Sequence, residues 1–439
     1  MIPLAEARQF VLDACTPGVP RPVPIDDALG CVAAEPVVAT EPIPPFVNSA
    51  MDGYALRAAD TEGIRTTGAA VRLAVFGTVM AGAPLRRAIG DGEAVRIMTG
   101  APMPAGADAV CMLEGCRVEA GGEVVVIDQP LAVGEAVRYP GDDVKVGDLA
   151  VPAGTVLGPG HLGVLANLGM TTVSVWPRPR IGVLSTGDEV TSEVGPLAPG
   201  KIRDANRHTL LALVRREGWH AVDLGIVGDD EAALAGALER GGAACDALIT
   251  SGGVSVGDLD VVKVVLDKLA GGTMRWMQVA IKPAKPFAFG TLATTGTPVF
   301  GLPGNPVSAM VGFELFVRPG VRRMSSYRDL DRPTVPAFAQ TDLQRRPDGK
   351  THFVRALVTL DHAGAWHARP MTGQDSHQLR AMADANALVV LPDGTGARAG
   401  DLVDVMLVDP DRLTAGGSLG AGAPLRGAVA GVEAGLRGG

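Results

Sequence analysis

Apolar and polar positions alternate with two different rhythms along this chain of 439 residues. Between Pro42 and Asp143 the apolar positions recur in short runs bounded by glycine, such as Val71-Arg-Leu-Ala-Val75, Glu93-Ala-Val-Arg-Ile97 and Glu123-Val-Val-Val-Ile127. Alternation with a period of about two belongs to half-buried strands, so this stretch predicts a β-rich module, a small barrel or a sandwich. Residues 178–325 behave differently. Arg180-Ile-Gly-Val-Leu184, Ala221-Val-Asp-Leu-Gly-Ile-Val227 and Ala247-Leu-Ile-Thr250 read as strands, and His208 to Glu217, Glu231 to Arg240 and Leu259 to Leu269 as helices. Asp229 or Asp230 is placed to cap the second of these helices. Strand and helix in alternation predict a mostly parallel sheet with right-handed crossovers. Residues 327–409 return to short alternating strands.

The ends and joints complete the outline. Residues 1–41 predict a helix from Leu4 to Ala14, a proline-rich connection and a short helix near Ile25–Leu29. Residues 144–175 read as a linking stretch with a helix around His161–Leu168. The expected organisation is a multidomain α/β protein with β-rich N-terminal and C-terminal modules. A linker domain comprises 1–41 and 144–175, a β-rich domain 42–143, a central α/β domain 176–326 and a β-rich domain 327–409. The Gly- and Ala-rich tail 410–439 is expected to be disordered.

Composition narrows the function. Hydrophobic residues make up 47% and charged residues 20%, which is a globular balance. A net charge of −9 argues against general nucleic-acid binding, while leaving room for a local basic patch and an anionic small ligand. Five scattered cysteines without a CxxC pair give no basis for a zinc site or a disulfide framework. Acidic Glu6 and Asp13 stand where a signal peptide would be apolar, and no run is long enough to span a membrane. A reduced, cytoplasmic enzyme is the expectation.

Candidate chemistry gathers at the carboxyl ends of the central strands, where ligands of open α/β sheets bind. The segment Ser251-Gly-Gly-Val-Ser-Val-Gly-Asp-Leu-Asp260 follows an apolar run. Glycines let backbone N–H groups close around an oxyanion, and the helix that follows adds its positive end. With Ser251, Gly252, Gly253, Ser255, Gly257, Asp258 and Asp260 in one bend, a phosphate together with Mg²⁺ is the better reading than a turn that merely needs glycine. A second bend, Gly301-Leu-Pro-Gly-Asn-Pro306, opens a helix, with Asn305 at the N-cap and Pro306 in the first turn. In Ile281-Lys-Pro-Ala-Lys-Pro286 the prolines favour polyproline geometry of about three residues per turn, which would set Lys282 and Lys285 on one side. Two readings stand there, a stiffly mounted anion site or a solvated surface pair. Asp188 and Glu189, after the first strand, could bind a ribose, a metal or nothing. The spacing Gly195 to Lys201 imitates a P-loop, but Ile202 stands where a hydroxyl must hold Mg²⁺, so an ATPase by that route is rejected.

Taken together, Ser49-Ala-Met-Asp-Gly-Tyr-Ala55, Arg96-Ile-Met-Thr-Gly-Ala-Pro-Met-Pro104, Gly141-Asp-Asp143, Ser185-Thr-Gly-Asp-Glu189, Asp204-Ala-Asn206, Ser251–Gly257, Lys282–Phe289 and Gly301–Ser308 resemble the molybdopterin molybdenumtransferases. This is the molybdenum insertase family that includes the gephyrin E domain, and the resemblance covers residues 1–409. It implies insertion of molybdate into adenylylated molybdopterin with Mg²⁺ and release of AMP. It also implies an elongated homodimer of four domains, with transient contacts to the adenylyltransferase and to molybdoenzyme apoproteins, and no nucleic acid or membrane partner. By the same resemblance Asp52, Thr99, Asp143, Glu189, Asp229 and Asp260 are catalytic, with Asp229 and Asp260 the metal ligands. Ser251, Gly252, Gly253, Ser255, Gly257, Gly304 and Asn305 line the nucleotide or pterin phosphate. Lys282, Lys285, Arg355 and Ser376, with Pro286, line the molybdate pocket. The family's glycine at position 284 is here Ala284, a change expected to matter little on a backbone with negative φ. Two alternatives remain. An adenylyltransferase would leave residues 40–143 and 327–409 without purpose, and a non-catalytic scaffold with the insertase fold would have no need of Asp52, Asp143, Glu189 and Asp260.

Overall fold

A computed structural model describes residues 1–254 and 261–415. Ser255, Gly257, Asp258, Asp260 and the tail from 416 therefore lie outside the described residues. The fold divides into two units, one of Val19–Pro177 and one of Met1–Gly18 with the chain from Arg178 onward. Among the described residues no helix is long and apolar enough to cross a membrane.

In the unit Val19–Pro177 the alternating runs form a mixed six-stranded sheet. Its order is Ala109–Met112, Gly53–Leu56, Glu93–Ile97, Val71–Val79, Val124–Ile127 and Cys116–Glu119. Successive side chains of a strand point to opposite faces. Tyr54 and Leu56 accordingly enter one core with Leu73, Val125 and Ile127, while Ala55 enters a second core with Val79, Val95 and Ile97. Gly53 is fixed by space, because a Cβ there would lie 2.1 Å from the carbonyl oxygen of Cys111 on the neighbouring strand. Strands Arg21–Pro24, Thr172–Trp176 and Val32–Ala33 form a separate small sheet, and the helix Pro159–Asn167 packs into the core that includes Ala33, Val173 and Val175.

The other unit is built on a six-stranded sheet. Strands His220–Val227, Arg180–Thr186, Ala247–Ser251 and Pro298–Leu302 are parallel, and Pro286–Thr291 and Arg275–Gln278 add an antiparallel edge. Strand Ala247–Ser251 is buried along its whole length, as a central parallel strand should be. The first helix, Leu4–Ala14, was expected with the linker domain and instead belongs here. Ala7 and Val11 join the main core, and Phe10 meets Phe289 edge-on at 5.7 Å. The chain then forms a closed ring of strands in the order Thr351–Leu360, Trp366–Pro370, Thr334–Ala339, Leu402–Leu407 and Ala387–Leu391, which pairs back to Thr351–Leu360. The two-residue strand Ile281–Lys282 attaches to the end of this barrel beside Thr351–His352.

A buried ionic network fastens the helices of this unit. Glu217 accepts from Arg318 at 3.0 Å and from Arg332, and Arg332 also reaches Glu314 at 2.8 Å. The Glu314 side chain is 1% exposed and that of Glu217 5%. Without Arg332, Glu217 keeps Arg318 and Glu314 keeps Arg216 at 3.2 Å, so the loss is that of charge-assisted hydrogen bonds, about 1.5–3 kcal/mol. Arg332→Ala is therefore expected to lower the unfolding free energy by that amount in urea denaturation. A change below about 0.5 kcal/mol, as for an ordinary surface substitution, would show that the network is not desolvated in solution.

Candidate functional site

The central strands deliver two glycine bends to the same edge. Strand Ala247–Ser251 runs into Gly252 and Gly253, with φ of 101° and 67°, values that glycine adopts freely. Space demands glycine as well. A Cβ on Gly252 would lie 2.9 Å from the Thr186 carbonyl oxygen, and one on Gly253 2.2 Å from the Val262 side chain. The neighbouring strand Pro298–Leu302 leads to the second bend, where a Cβ on Gly304 would lie 3.9 Å from the Cα of Gly252. The Asn206 amide donates to Ser251 Oγ and to the Gly304 carbonyl, each at 2.7 Å, and so joins the two bends. Not every amide is free for a ligand. Gly252 donates its N–H to Leu302 at 3.1 Å, whereas the Gly253 N–H has no acceptor among the described residues.

Asn305 stands at the N-cap of helix Pro306–Gly312, but its exposed side chain makes no capping bond. Val307 in the first turn donates instead to the Ser376 carbonyl at 3.1 Å. The capping reading of the Asn305 side chain is thereby corrected, because a carbonyl from another segment fills the role.

An acidic edge lies at the adjoining strand ends. Asp230, not Asp229, caps helix Glu231–Ala244, accepting from Ala233 N–H at 2.7 Å. Asp229 donates its own N–H to the Asp188 carboxylate at 3.0 Å, which brings it beside the bend that carries Glu189. The carboxylates of Asp229 and Glu189 are exposed, and among the described residues neither has a cationic partner. No cluster of three or more candidate ligands forms among the described residues. Asp260, the expected companion of Asp229, lies outside them.

The lysine segment departs from expectation. The Lys282–Pro283 peptide is cis and Ala284 has φ of 71°, so the stretch is a tight turn and not a polyproline run. The assumption of negative φ at Ala284 is also overturned. An alanine in that region carries about 1–2 kcal/mol that glycine would not. Its buried methyl, 3% exposed for the residue, returns about 0.8 kcal/mol. Both lysines are exposed and, among the described residues, neither ammonium has a carboxylate partner. Strand pairing sets Lys282 beside His352, and alternation puts Arg355 on the opposite, core-facing side of that strand with Phe353. Pro286 begins the strand Pro286–Thr291.

Arg355 is 1% exposed. Its Nη2 donates to the carbonyls of Gly373 and Asp375 at 3.1 and 3.2 Å, while its buried Nε has no partner. Burial pushes its pKa down from the usual arginine range, opposed by the charge of Asp375. Ser376 is next in the chain, and its carbonyl holds the helix start at Val307. The barrel strand and the second glycine bend are thus linked through the loop 373–376. Burial pushes the thiols of Cys15 and Cys111 up to about 12, so neither is a thiolate near neutral pH.

In the unit Val19–Pro177 the structure brings Asp52 and Thr99 together. Asp52 Oδ1 accepts the Thr99 N–H at 2.7 Å and the Thr99 hydroxyl at 2.8 Å. Asp143 sits on a separate bend, exposed, its N–H donated to Ile43 at 3.0 Å.

Comparison with known proteins adds the following. A family described as "MoeA N-terminal region (domain I and II)" matches residues 2–169. "Probable molybdopterin binding domain" matches residues 182–323, and "MoeA C-terminal region (domain IV)" matches residues 339–408. The molybdopterin molybdenumtransferase of Haemophilus influenzae is 35% identical over 407 residues, covering 92% of this chain and 98% of the relative. Molybdopterin molybdenumtransferase 2 of Mycobacterium tuberculosis is 40% identical over 378 residues, covering 85% and 91%. The crystal structure of the molybdopterin biosynthesis moeA protein from Pyrococcus horikoshii OT3 superposes with a TM-score of 0.73 at 30% identity, covering 93% of this chain and all (100%) of that one.

The Asp52–Thr99 pair has a measurable signature. Backbone and hydroxyl bonds from Thr99, with the charge of Arg96, hold the Asp52 carboxyl below its ordinary 3.8. A carboxyl depressed in the folded state contributes stability above its unfolded pKa and loses it as pH falls through the folded value. Thr99→Val removes the hydroxyl bond, so the Asp52 midpoint in a carboxyl-carbon NMR titration is expected to rise toward 3.8. A midpoint unmoved by the substitution would show that the hydroxyl contact is absent in solution.

Proposed function

The chain belongs to the molybdopterin molybdenumtransferase family, a family of transferases in molybdenum cofactor biosynthesis, and on that premise we propose that it inserts molybdate into adenylylated molybdopterin with Mg²⁺ and releases AMP. The observation that carries the oxyanion part of this reading is Arg355. A buried guanidinium that, among the described residues, has no hydrogen-bonded carboxylate and no partner for its Nε is stabilised by an incoming anion. Molybdate is a compact oxyanion of opposite charge, and arginine presents planar paired donors to such groups. Lys285 and Lys282, uncommitted to carboxylates among the described residues, supply further positive charge, with Ser376 and Pro286 completing the pocket in this proposal.

The phosphate part rests on the bends. The Gly253 N–H, without an acceptor among the described residues, and the Ser251 hydroxyl offer donors to a phosphate oxygen, and Gly304 and Asn305 border them. Ser255 and Gly257 belong to the same proposed loop. Mg²⁺ takes one or two carboxylates together with substrate phosphates and water. The donors present suit it, since Asp229 and Glu189 are exposed, oxygen-only and, among the described residues, free of cationic partners. In this proposal Asp229 and Asp260 hold the ion. When bound, it supplies neutralisation of the charge on the phosphoanhydride oxygens. Glu189, Asp143 and the Asp52–Thr99 pair are kept as further catalytic groups, Asp52 remaining ionised near neutral pH. The proposal includes a homodimer working in the cytoplasm, handed its substrate by an adenylyltransferase and passing its product to molybdoenzyme apoproteins.

The test is AMP release from adenylylated molybdopterin and Mg²⁺ with and without molybdate. Release that depends on molybdate is the expected result. Consumption of ATP with free molybdopterin would favour an adenylyltransferase, and neither activity would favour a scaffold. In the same assay Lys285→Ala is expected to raise the molybdate requirement about tenfold or more, the equivalent of one charge-assisted contact. An unchanged requirement would remove Lys285 from the anion site.

A further inference from the structure

We propose that Asn206 is a positioning residue that clamps the two glycine bends together and orients the Ser251 hydroxyl as a donor reserved for a phosphate oxygen. The inference rests on the preceding reading that these bends take the phosphate of adenylylated molybdopterin. Asn206 opens the helix Asn206–Arg216, and both hydrogens of its amide nitrogen are engaged, one by Ser251 Oγ and one by the Gly304 carbonyl, each at 2.7 Å. The orientation of the amide follows from chemistry. The Gly304 carbonyl can only accept, so the NH₂ group and not Oδ1 must face it.

The same orientation fixes Ser251. An NH₂ group cannot accept, so Ser251 Oγ receives a bond from Asn206 and keeps its own proton. Among the described residues Ser251 Oγ donates to no acceptor. Ser251 is 3% exposed, and its main-chain carbonyl is already held by the Thr186 hydroxyl at 3.3 Å. A hydroxyl in this setting selects for a ligand that accepts without donating, as a phosphate diester or anhydride oxygen does.

Asn206 is itself fixed in advance. Asp204 Oδ1 accepts the Arg207 N–H at 3.0 Å and the Ser185 hydroxyl at 2.9 Å, and Arg207 Nε reaches Asp204 Oδ2 at 2.8 Å. Arg207 also pairs with Asp223. Asp204 and Arg207 are 7% and 8% exposed, so the start of the helix is set by a buried network before any ligand arrives.

The experiment measures equilibrium binding of adenylylated molybdopterin and, separately, the molybdate KM and melting temperature, for wild type, Asn206→Ala, Asn206→Asp, Ser251→Ala and the Asn206→Ala/Ser251→Ala double variant. Asn206→Ala is expected to weaken adenylylated molybdopterin binding about tenfold. Asn206→Asp, equal in shape but carrying a charge that opposes both the Gly304 carbonyl and a phosphate, is expected to weaken it further. The molybdate KM and melting temperature stay near wild type. Because Asn206 acts through Ser251, the two losses are not additive in the double variant. Unchanged binding in Asn206→Ala, fully additive losses, or a loss shared equally by binding, molybdate KM and melting temperature would each overturn the inference. Wild-type protein that does not bind adenylylated molybdopterin would overturn the functional reading, and this inference with it.

Discussion

The first bend can sit at the edge of the central sheet only because neither Gly252 nor Gly253 carries a side chain. Gly253 has the Val262 side chain 2.2 Å from where its Cβ would be, and Gly252 has the Thr186 carbonyl at 2.9 Å. Any larger residue must push apart elements that the parallel strands hold in register. The close approach has a chemical product. It leaves two donors without an acceptor among the described residues, the Gly253 amide and the Ser251 hydroxyl, at the strand ends where α/β folds place their ligands. The commitment of the Gly252 amide to Leu302 is the complement of this, since it fastens one bend to the next strand.

Around that edge the fold keeps groups of opposite charge on separate elements. Exposed carboxylates stand at the ends of the first two strands, with Asp230 absorbing the capping duty and the Asp229 carboxylate left without a partner among the described residues. Cationic groups lie elsewhere, on the turn at Lys282–Lys285 and on the barrel strand that carries Arg355. The closed barrel gives Arg355 a rigid mount. The loop 373–376 connects that mount to the helix after the second bend through the Ser376 carbonyl and Val307. A buried guanidinium with an orphaned Nε is unfavourable alone, and it is the kind of local strain that a binding site carries.

Much of this was legible in the sequence where periodicity and turn chemistry speak. The parallel strands from Arg180, Ala221 and Ala247 came from apolar runs, and both bends came from clustered glycine. The resemblance to a family supplied Asp52 with Thr99, which the fold joins by two short hydrogen bonds. Other features depend on contacts distant in the chain. Asn206 meets partners 45 and 98 residues away, and no local pattern announces that. The first helix was visible, but not that Ala7 and Val11 would fill the main core. The turn at Ala284 misled because prolines at 283 and 286 imply extended backbone, whereas tertiary pairing of Ile281–Lys282 with the barrel imposes a different path.

The central claim is that backbone and hydroxyl donors at these bends grip a phosphate. A crystal structure of the protein soaked with AMP tests it most directly. The account predicts phosphate oxygens within hydrogen-bonding distance of the Gly253 N–H and Ser251 Oγ, with Asn206 still joined to Gly304. Phosphate density away from both bends, in a protein that binds AMP, would contradict it.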